Sequence, residues 1–328
     1  MVSVENLSLE FGPTERPVKI LRDVSLKARA GRFLTIVGES GCGKSMTAHS
    51  IIGLQPEGAR ITSGRITLPE GDSTIDLLQL EQYGKRMRSI RGKRLGMVFQ
   101  DTMSSLNPVH TVGRQVAEKL LTHTDLSKRE ARGKVTELFG QLGIPSPDER
   151  FDQYPHEFSG GMRQRVMIAM ALINKPDLLI ADEPTTALDV TIQAQIMDLL
   201  KRIAREQQKA VILITHNMGL VAQVADEVAV MYMGRVVEVG PRDEVFLNPA
   251  HPYTRALMAS VPTLNMPRDT TLTTIPGSTP MPSEVGSIGC SFTSRCPFAT
   301  PECLEWENND VPVGPGHFSK CRLSKQGI

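Results

Sequence analysis

Three short apolar runs are spaced along the chain, and each of them ends at polar residues. They lie at residues 33–37, 178–181 and 211–214. A short continuous apolar run of this kind is typical of a strand that is buried on both faces of a sheet. Between the second and third runs, Ile192, Ile196 and Leu199 recur on one helical face. This alternation of strand and helix patterns predicts an α/β fold.

The pattern changes in the middle of the chain and again near its end. Within residues 102–165, apolar residues recur at helical spacing over residues 112–123 and 128–142, which predicts a helical subdomain. Residues 1–90 have the pattern of strands and turns. Five prolines between residues 262 and 286 predict an extended linker that leads to a small tail. We therefore predict one large domain over residues 1–255 and a C-terminal extension over residues 256–328.

Charge and composition exclude several classes of protein. Lysine and arginine number 37 against 36 aspartates and glutamates, and the net charge of +1 argues against nucleic-acid binding. The basic run at residues 85–94 is expected to be a solvated surface. The start of the chain lacks the pattern of a signal peptide, and no apolar run approaches the ~18 residues that cross a bilayer. We expect a cytosolic chain that reaches a membrane only through partners.

The first apolar run is followed by the sequence GESGCGKS and then by a helix predicted to begin at Met46. A strand, a glycine-rich loop and a helix in this order form the context of a phosphate-binding loop, or P-loop. The glycines let backbone N–H groups turn towards phosphate oxygens, Lys44 can reach the terminal phosphates, and the Ser45 hydroxyl can bind Mg²⁺. We expect no specific role for the Cys42 thiol. The predicted nucleotide-binding residues of the loop are Gly38, Glu39, Ser40, Gly41, Cys42, Gly43, Lys44 and Ser45.

Two carboxylate residues, Asp182 and Glu183, follow the second apolar run, at the predicted carboxyl end of its strand. Ligands of open α/β sheets bind outside the carboxyl ends of the strands. Asp182 is therefore predicted to hold the Mg²⁺ hydration shell, and Glu183 to polarise an attacking water. Adjacent carboxylates can also serve as a helix cap, but a phosphate-binding loop in the same chain favours catalysis.

A third motif, Ser159-Gly160-Gly161-Met162, stands shortly before a helix-forming stretch that begins at Val166. Paired glycines after a serine at a helix N-terminus form an anion site, because N–H groups and the helix dipole point outward. One chain needs only one such site for its own nucleotide, so the second site is predicted to act on the nucleotide of another chain.

With these three motifs the chain resembles the ATP-binding-cassette (ABC) ATPases. The resemblance implies a P-loop NTPase fold with a RecA-like core, an antiparallel β-subdomain, an inserted helical subdomain and, here, a small cysteine-rich C-terminal extension. It also implies that two subunits sandwich two ATP molecules, each P-loop facing the partner's signature loop. The usual leucine and glutamine of the signature are Phe158 and Met162 here, and neither change touches the Ser-Gly-Gly backbone.

The resemblance implies roles for further residues. Gln100 would contact Mg²⁺ and water, making Ser45, Gln100 and Asp182 the Mg²⁺ ligands. The turn formers and apolar residues of the loop that follows, residues 101–108, suit docking of a permease helix, and an ordinary surface connection is the alternative. Asp189, after Ala187 and Leu188, would cross the dimer interface. His216 would contact the γ-phosphate as a catalytic residue beside Glu183 and Gln100, and Asn217 stands where many relatives have aspartate. Phe11 would stack on adenine, or it is an ordinary core residue.

Four of the five cysteines lie in the tail: Cys290, Cys296, Cys303 and Cys321. Thiols of a cytosolic protein are kept reduced, so disulfides are not expected. A tail this small is expected to have only a weak core of its own, which a bound metal would stabilise. The spacings of five, six and seventeen residues match neither zinc ribbons nor ferredoxins. The arrangement is similar to the C-terminal extension of ATPases that energise dipeptide and oligopeptide import, which can hold a 4Fe–4S cluster. Zinc and unligated thiols remain alternatives.

The resemblance implies the ATPase subunit of a bacterial ABC importer for dipeptides or oligopeptides, peripheral at the cytoplasmic face of the inner membrane. Its implied partners are a second, similar ATPase, two transmembrane permeases and a periplasmic binding protein. The second ATPase favours a heterodimer over a homodimer. Import of oligosaccharides, opines or nickel is the alternative within transport. The alternative outside transport is a soluble ABC protein acting on ribosomes or DNA. A single cassette with about 115 residues between P-loop and signature argues against it.

Overall fold

The computed structural model describes residues 1–100, 105–185, 188–261, 274–286 and 288–325. The chain forms two compact units, and each is assembled from separate stretches of sequence. The first unit contains Met1–Val2, Ala28–Phe33 and Leu77–Leu213. The second unit contains Ser3–Lys27, Leu34–Asp76 and Ile214–Ile328. Residues 262–273 of the predicted linker lie outside the described residues.

Twelve strands are present in the described part of the chain. They are β1 (Val2–Phe11), β2 (Val18–Ala28), β3 (Phe33–Val37), β4 (Ala59–Glu70), β5 (Ser73–Asp76), β6 (Leu95–Val98), β7 (Leu178–Asp182), β8 (Ala210–Ile214), β9 (Glu227–Tyr232), β10 (Arg235–Pro241), β11 (Val311–Gly314) and β12 (His317–Ser319).

Ten α-helices are present in the same described ranges. They are α1 (Lys44–Ile51), α2 (Lys85–Ile90), α3 (Val112–Leu121), α4 (Lys128–Gln141), α5 (Pro147–Phe151), α6 (Gly160–Leu172), α7 (Val190–Glu206), α8 (Met218–Val224), α9 (Arg242–Leu247) and α10 (Pro252–Ala259). None of these helices is both long enough and apolar enough to cross a membrane.

The second unit contains an antiparallel sheet with the strand order β2-β1-β4-β5. Strand β4 pairs antiparallel with both β1 and β5. Apolar and polar residues alternate along much of β1 and β2, so that Leu7, Leu9 and Val24 are fully buried while their neighbours are more exposed. This sheet confirms the predicted antiparallel subdomain.

Parallel pairing begins where the chain has its continuous apolar runs. In the second unit β3 pairs with β9 in parallel, and in the first unit β6 pairs with β7 in parallel. Every residue of β3, β7 and β8 is buried. Strands covered on both faces favour apolar side chains along most of their length, which is why the three runs predicted these strands correctly.

The helical part of the first unit confirms the two helices predicted from apolar spacing, now bounded as α3 and α4. Helix α4 begins with a capping box, because the Ser127 hydroxyl accepts from the Glu130 N–H and the Glu130 carboxylate accepts from the Ser127 N–H. Val116, Val135 and Phe139 are fully buried. The limits 102–165 of this subdomain stay a prediction.

Two helix starts were predicted wrongly. Helix α6 begins at Gly160 rather than Val166, because the Ser159 hydroxyl accepts a hydrogen bond from the Met162 N–H and so caps the helix within the signature motif. Helix α1 begins at Lys44 rather than Met46, so that the last P-loop residues form its first turn. In both cases the loop and the helix overlap in sequence.

The C-terminal tail shares the core of the second unit instead of having a weak core of its own, and that expectation was wrong. Strand β12 pairs antiparallel with β10 and with β11, which extends the sheet to the order β11-β12-β10-β9-β3 within this unit. The ring of Phe292, 1% exposed, lies 5.3 Å from that of Tyr232 and 5.4 Å from that of Tyr253. These large apolar contacts anchor the tail on strand β9.

Candidate functional site

The P-loop lies in the second unit, between the end of β3 and the start of α1. Gly38 has a φ of +150°, and a Cβ there would lie 2.2 Å from the Met231 carbonyl oxygen. Gly43 has a φ of +105°, and a Cβ there would lie 2.9 Å from a methyl carbon of Leu21. Both positions therefore exclude a side chain as well as favouring the left-handed backbone of glycine. The glycine pattern reflects close packing of the loop on its own unit.

Lys44 is buried at the base of this loop, with 7% of the residue exposed. Its Nζ donates to the carbonyl oxygens of Gly38, at 2.8 Å, and Glu39, at 3.0 Å. The Cys42 Sγ lies 3.7 Å from the same Nζ, and burial raises the pKa of the Cys42 thiol. The ammonium group is thus held inside the loop by backbone oxygens. Its predicted contact with phosphate requires it to exchange these partners.

Two further predicted nucleotide contacts belong to the second unit. Phe11 ends β1 with 42% of the residue exposed, so it is not an ordinary core residue, and its stacking on adenine stays a prediction. His216 is exposed just after β8. The Asn217 side chain accepts from the Leu220 N–H at 3.1 Å and caps α8. Asn217, at the position where the resemblance implies an aspartate, therefore caps this helix.

The predicted catalytic carboxylates lie at the end of β7 in the first unit. Asp182 is 2% exposed, and the half-buried Glu183 follows it with a φ of +47°. The Gln100 Nε2 donates to the Glu183 Oε2 at 3.2 Å. The structure therefore brings together two of the three predicted catalytic residues within one unit. A left-handed backbone at a non-glycine residue costs of order 1 kcal/mol, and strained residues of this kind occur at functional sites as well as in turns.

The signature residues form the exposed N-terminus of α6 in the first unit. Ser159 and Gly160 are exposed, whereas Phe158 is 3% exposed and packs inward. Apart from its own helix and chain neighbours, no atom of the described residues lies within 4 Å of a Cβ built on Gly160, so this face of the helix end is open in the described part of the chain. The substitution at Phe158 thus lies on the buried side, away from the exposed N–H groups. Met162 is half-buried.

Asp189 caps helix α7, because its side chain accepts from the Ile192 N–H at 2.9 Å. The capping role was missed, although an aspartate just before a helical apolar pattern is its usual signal. Both Asp189 and Val190 are exposed. A role of Asp189 at a dimer interface stays a prediction. Ala187 of the same motif and residues 101–104 of the predicted docking loop lie outside the described residues.

Glu39 has partners that sequence reasoning missed. The Arg295 guanidinium binds the Glu39 carboxylate through two nitrogens, with Nη1–Oε2 and Nη2–Oε1 distances of 2.7 and 3.1 Å. The Tyr253 hydroxyl accepts from the Glu39 N–H at 2.9 Å. The hydrogen bond to Glu39 raises the pKa of Arg295 above its ordinary value, and burial raises that of Tyr253. No local pattern links Glu39 to an arginine so far along the chain.

The four tail cysteines line one cavity in the second unit, beside Phe292 and Trp306. All four are free thiols. Burial raises the pKa of Cys290 to about 11, and it also raises the pKa values of Cys296 and Cys321. Neighbouring thiols add to each of these shifts. Within the described ranges, no three metal-binding side chains are close enough together to hold a single ion.

His251 lies at the same cavity, and its imidazole is fully buried. Its Nδ1 accepts from the Tyr253 N–H at 3.1 Å, which caps α10. Burial lowers the pKa of His251 to about 4, although the nearby Glu238 carboxylate opposes the shift. The imidazole is therefore neutral near pH 7.

Two families match this chain. Residues 21–186 match the family described as ABC transporter, and residues 237–303 match the family described as oligopeptide/dipeptide transporter, C-terminal region. The second match covers Cys290, Cys296 and Cys303 and ends before Cys321.

Curated relatives resemble the chain over almost its whole length. The dipeptide transport ATP-binding protein DppD of Bacillus subtilis (strain 168) is 52% identical over 99% of this chain and 95% of its own length. The oligopeptide transport ATP-binding protein OppD of the same organism is 46% identical over 98% of this chain and 88% of its own length. A probable peptide ABC transporter ATP-binding protein, y4tR of Sinorhizobium fredii, is 46% identical over 100% of this chain and 96% of its own length.

Solved structures agree with the fold. A dimeric post-hydrolysis state of the ATP-binding cassette MJ0796, bound to ADP and Pi, is similar with a TM-score of 0.65 and 28% identity. The similarity covers 74% of this chain and 99% of that one. With the phosphate-binding loop, the paired carboxylates and the exposed signature helix, these likenesses lead to one conclusion: this chain belongs to the ABC transporter family, as an ATPase with a C-terminal region of the oligopeptide/dipeptide transporter type.

Proposed function

We propose that this chain is the ATP-hydrolysing subunit of an importer that takes up dipeptides or oligopeptides through membrane permeases. The observation that carries the peptide assignment is the match of residues 237–303 to the C-terminal region of oligopeptide and dipeptide transporters. Two relatives that align with almost the whole of this chain are a dipeptide transport ATP-binding protein and an oligopeptide transport ATP-binding protein. Import of oligosaccharides, opines or nickel by the same machinery is the alternative.

The chemistry that we propose divides the work among residues already described. Lys44 and the P-loop N–H groups hold the phosphates, Glu183 orients the attacking water, and His216 contacts the γ-phosphate. The hydrogen bond from Gln100 supports this role of Glu183, because it fixes the orientation of the carboxylate. Phe11 contributes an exposed ring for adenine.

Mg²⁺ is the expected cofactor, and the chain has suitable ligands for it. When bound, the ion neutralises charge that develops on the phosphates. The Ser45 hydroxyl, the Gln100 amide oxygen and the Asp182 carboxylate are oxygen ligands of the kind that Mg²⁺ prefers. Burial of Asp182, at 2% exposure, is consistent with a carboxylate that works opposite a positive ion rather than in bulk water.

The open N-terminal end of helix α6 supports a proposal about how this chain pairs with a second ATPase. We propose that Ser159, Gly160 and Gly161 act on the nucleotide of a partner ATPase, and that Asp189 lies at that interface. The helix N-terminus supports this, because no described residue outside the helix and its chain neighbours covers Gly160, which leaves N–H groups available to an anion from outside. We propose that the partner is a similar second ATPase. Two permeases and a periplasmic binding protein complete the proposed system. The proposed location of the chain is the cytoplasmic face of the inner membrane.

We propose further that the four tail cysteines hold a 4Fe–4S cluster, with zinc as the alternative. Their convergence on one cavity supports a common ligand. No three metal-binding side chains among the described residues are spaced for a single ion, so the choice of a cluster over zinc or free thiols rests on the resemblance of the cysteine arrangement. The raised thiol pKa values mean that binding must release protons.

Transport by a reconstituted complex tests the proposed function. The chain is co-purified with the permeases and second ATPase encoded by neighbouring genes, and placed in vesicles with the binding protein. We expect ATP-dependent uptake of a labelled dipeptide or oligopeptide, and we expect its loss in a matched complex that carries Glu183→Gln. Uptake of nickel or of an oligosaccharide, with no response to peptides, would replace the peptide assignment by the alternative.

A further inference from the structure

Glu39 is held at both of its polar ends by residues from the C-terminal part of the chain. Its backbone N–H donates to the Tyr253 hydroxyl at 2.9 Å, and its carboxylate is bound by the Arg295 guanidinium through two hydrogen bonds. We call these three residues the Glu39 clamp. All three belong to the second unit. The clamp is therefore a contact between the tail and the phosphate-binding loop.

Arg295 is itself fixed on several sides. Its side chain is only 4% exposed, and its Nε donates to the Pro276 carbonyl oxygen at 2.8 Å. Its Nη1 also lies 3.3 Å from the Tyr232 hydroxyl. A buried guanidinium with this many fixed acceptors has little freedom to leave the carboxylate. The clamp is thus a rigid part of the fold and not a mobile surface ion pair.

The clamp acts on the backbone that faces Lys44. The carbonyl oxygen of Glu39 accepts from the Lys44 Nζ at 3.0 Å, so the residue that the clamp holds also holds the lysine. Glu39 places a negative charge, 25% exposed, inside a loop that must accept the negative charges of ATP. A bidentate arginine neutralises that charge and fixes the loop in one shape.

We propose that Arg295 is a positioning residue for nucleotide binding, which acts on the phosphates of ATP through Glu39. The proposal rests on the proposed role of the P-loop in holding those phosphates. It assigns to the tail a contribution to ATP affinity that acts through Arg295. The competing explanation is that Arg295 only attaches the tail to the rest of the unit.

Binding of MgATP to the full-length chain distinguishes the two explanations. We expect Arg295→Met to weaken ATP affinity roughly tenfold, because it leaves the Glu39 carboxylate unpaired beside the phosphates. Adding Glu39→Gln to that variant removes the unpaired charge and should restore a large part of the affinity. Arg295→Lys keeps the charge but loses the planar fork, so its affinity should lie between those of the wild type and Arg295→Met.

A matched control removes another arginine of the tail. The Arg322 guanidinium binds the Thr300 hydroxyl at 2.9 Å and the Glu302 carboxylate at 3.0 Å, all three within the tail. Arg322→Met should therefore leave ATP affinity unchanged. If Arg295→Met does not fold, the lysine variant carries the test, with its folded state checked by thermal unfolding.

Lys44→Ala separates failure of this proposal from failure of the P-loop assignment. If Lys44→Ala binds ATP normally, the P-loop assignment fails and the proposal fails with it. A second outcome separates the two proposals. If Lys44→Ala loses ATP affinity, but folded Arg295→Met and Arg295→Lys bind ATP within about twofold of the wild type, then Arg295 only attaches the tail to the unit. The proposal is then wrong. A lack of rescue by Glu39→Gln would likewise overturn it.

Discussion

Several single residues in this ATPase combine a local structural task with a predicted functional one. Ser159, Asp189 and Asn217 each accept a backbone N–H at the start of a helix, and each lies in or beside a predicted functional motif. A cap of this kind fixes where the helix begins and is worth about 1 kcal/mol. The caps therefore hold the backbone of the signature motif and of the segments that carry Asp189 and His216.

Lys44 and Glu183 should fail in different ways when they are replaced. Glu183→Gln keeps the shape of the side chain but loses the base that we propose orients water, so ATP turnover should fall about a hundredfold or more while ATP still binds. Lys44→Ala removes the cation that we propose binds the phosphates, so ATP affinity itself should fall by about tenfold or more. Equilibrium binding and steady-state hydrolysis by the purified complex measure both quantities. Near-normal turnover by the Glu183→Gln complex would remove Glu183 from the proposed mechanism.

Several strands and helices carry predicted functional residues at their ends. Strand β7 buries all of its residues and ends at Asp182, while strand β3 ends directly at the phosphate-binding loop. Helix α10 is a further example, because its N-terminal residues His251 and Tyr253 connect the cysteine cavity with the backbone of Glu39. The start of α10 is held by the Glu238 carboxylate, which accepts from the Ala250 and His251 N–H groups at 2.8 and 2.7 Å.

The cap of α10 should make the protein sensitive to acid. The pKa of His251 is lowered to about 4 in the folded state by burial, so folding favours the neutral imidazole. Its contribution is fully present above the unfolded pKa of about 6.5 and is lost as the pH falls through about 4. This linkage amounts to at most about 3 kcal/mol.

Thermal unfolding between pH 7 and pH 4 measures that linkage. The matched variant is His251→Asn, since asparagine can also cap a helix but does not titrate. We expect the wild type to lose more stability than the variant over this range. Equal losses in the two proteins would show that other groups cause the acid sensitivity.

At the scale of the whole molecule, the tail is part of the second unit's core and not a separate appendage. Phe292 packs against both Tyr232 and Tyr253, and strand β12 lies against β10. A tail so anchored needs no metal to stay attached. A cluster in the cysteine cavity would therefore have a role inside the tail, and its loss should spare the fold of the rest of the unit.

Iron content tests the proposed cluster. Protein purified without oxygen should be brown and carry about four irons and four acid-labile sulfides per chain. Cys296→Ser should lose most of this iron, whereas the control Cys42→Ser, which changes a cysteine outside the cavity, should keep it. Zinc in place of iron and sulfide would replace the cluster by the zinc alternative, and no metal at all would leave free thiols.

The features that the sequence alone determined are those in which neighbouring residues decide the outcome. The glycine-rich loop after a buried strand, the paired carboxylates at residues 182–183 and the two helices over residues 112–123 and 128–142 are local patterns, and the fold that they predict is confirmed. Their roles in catalysis stay predictions. Short-range patterns are informative because backbone hydrogen bonding and side-chain periodicity within an element depend on residues only a few positions apart.

Only the tertiary structure decided where distant segments meet. The bond between Arg295 and Glu39 joins residues 256 positions apart, and the packing of Phe292 on Tyr232 and the convergence of four cysteines on one cavity are of the same kind. No periodicity connects such residues, since which surfaces meet depends on how the whole chain buries its apolar area and satisfies its buried charges. The sequence determined that an ATP site is present, and the packing of the tail determined which residues surround Glu39.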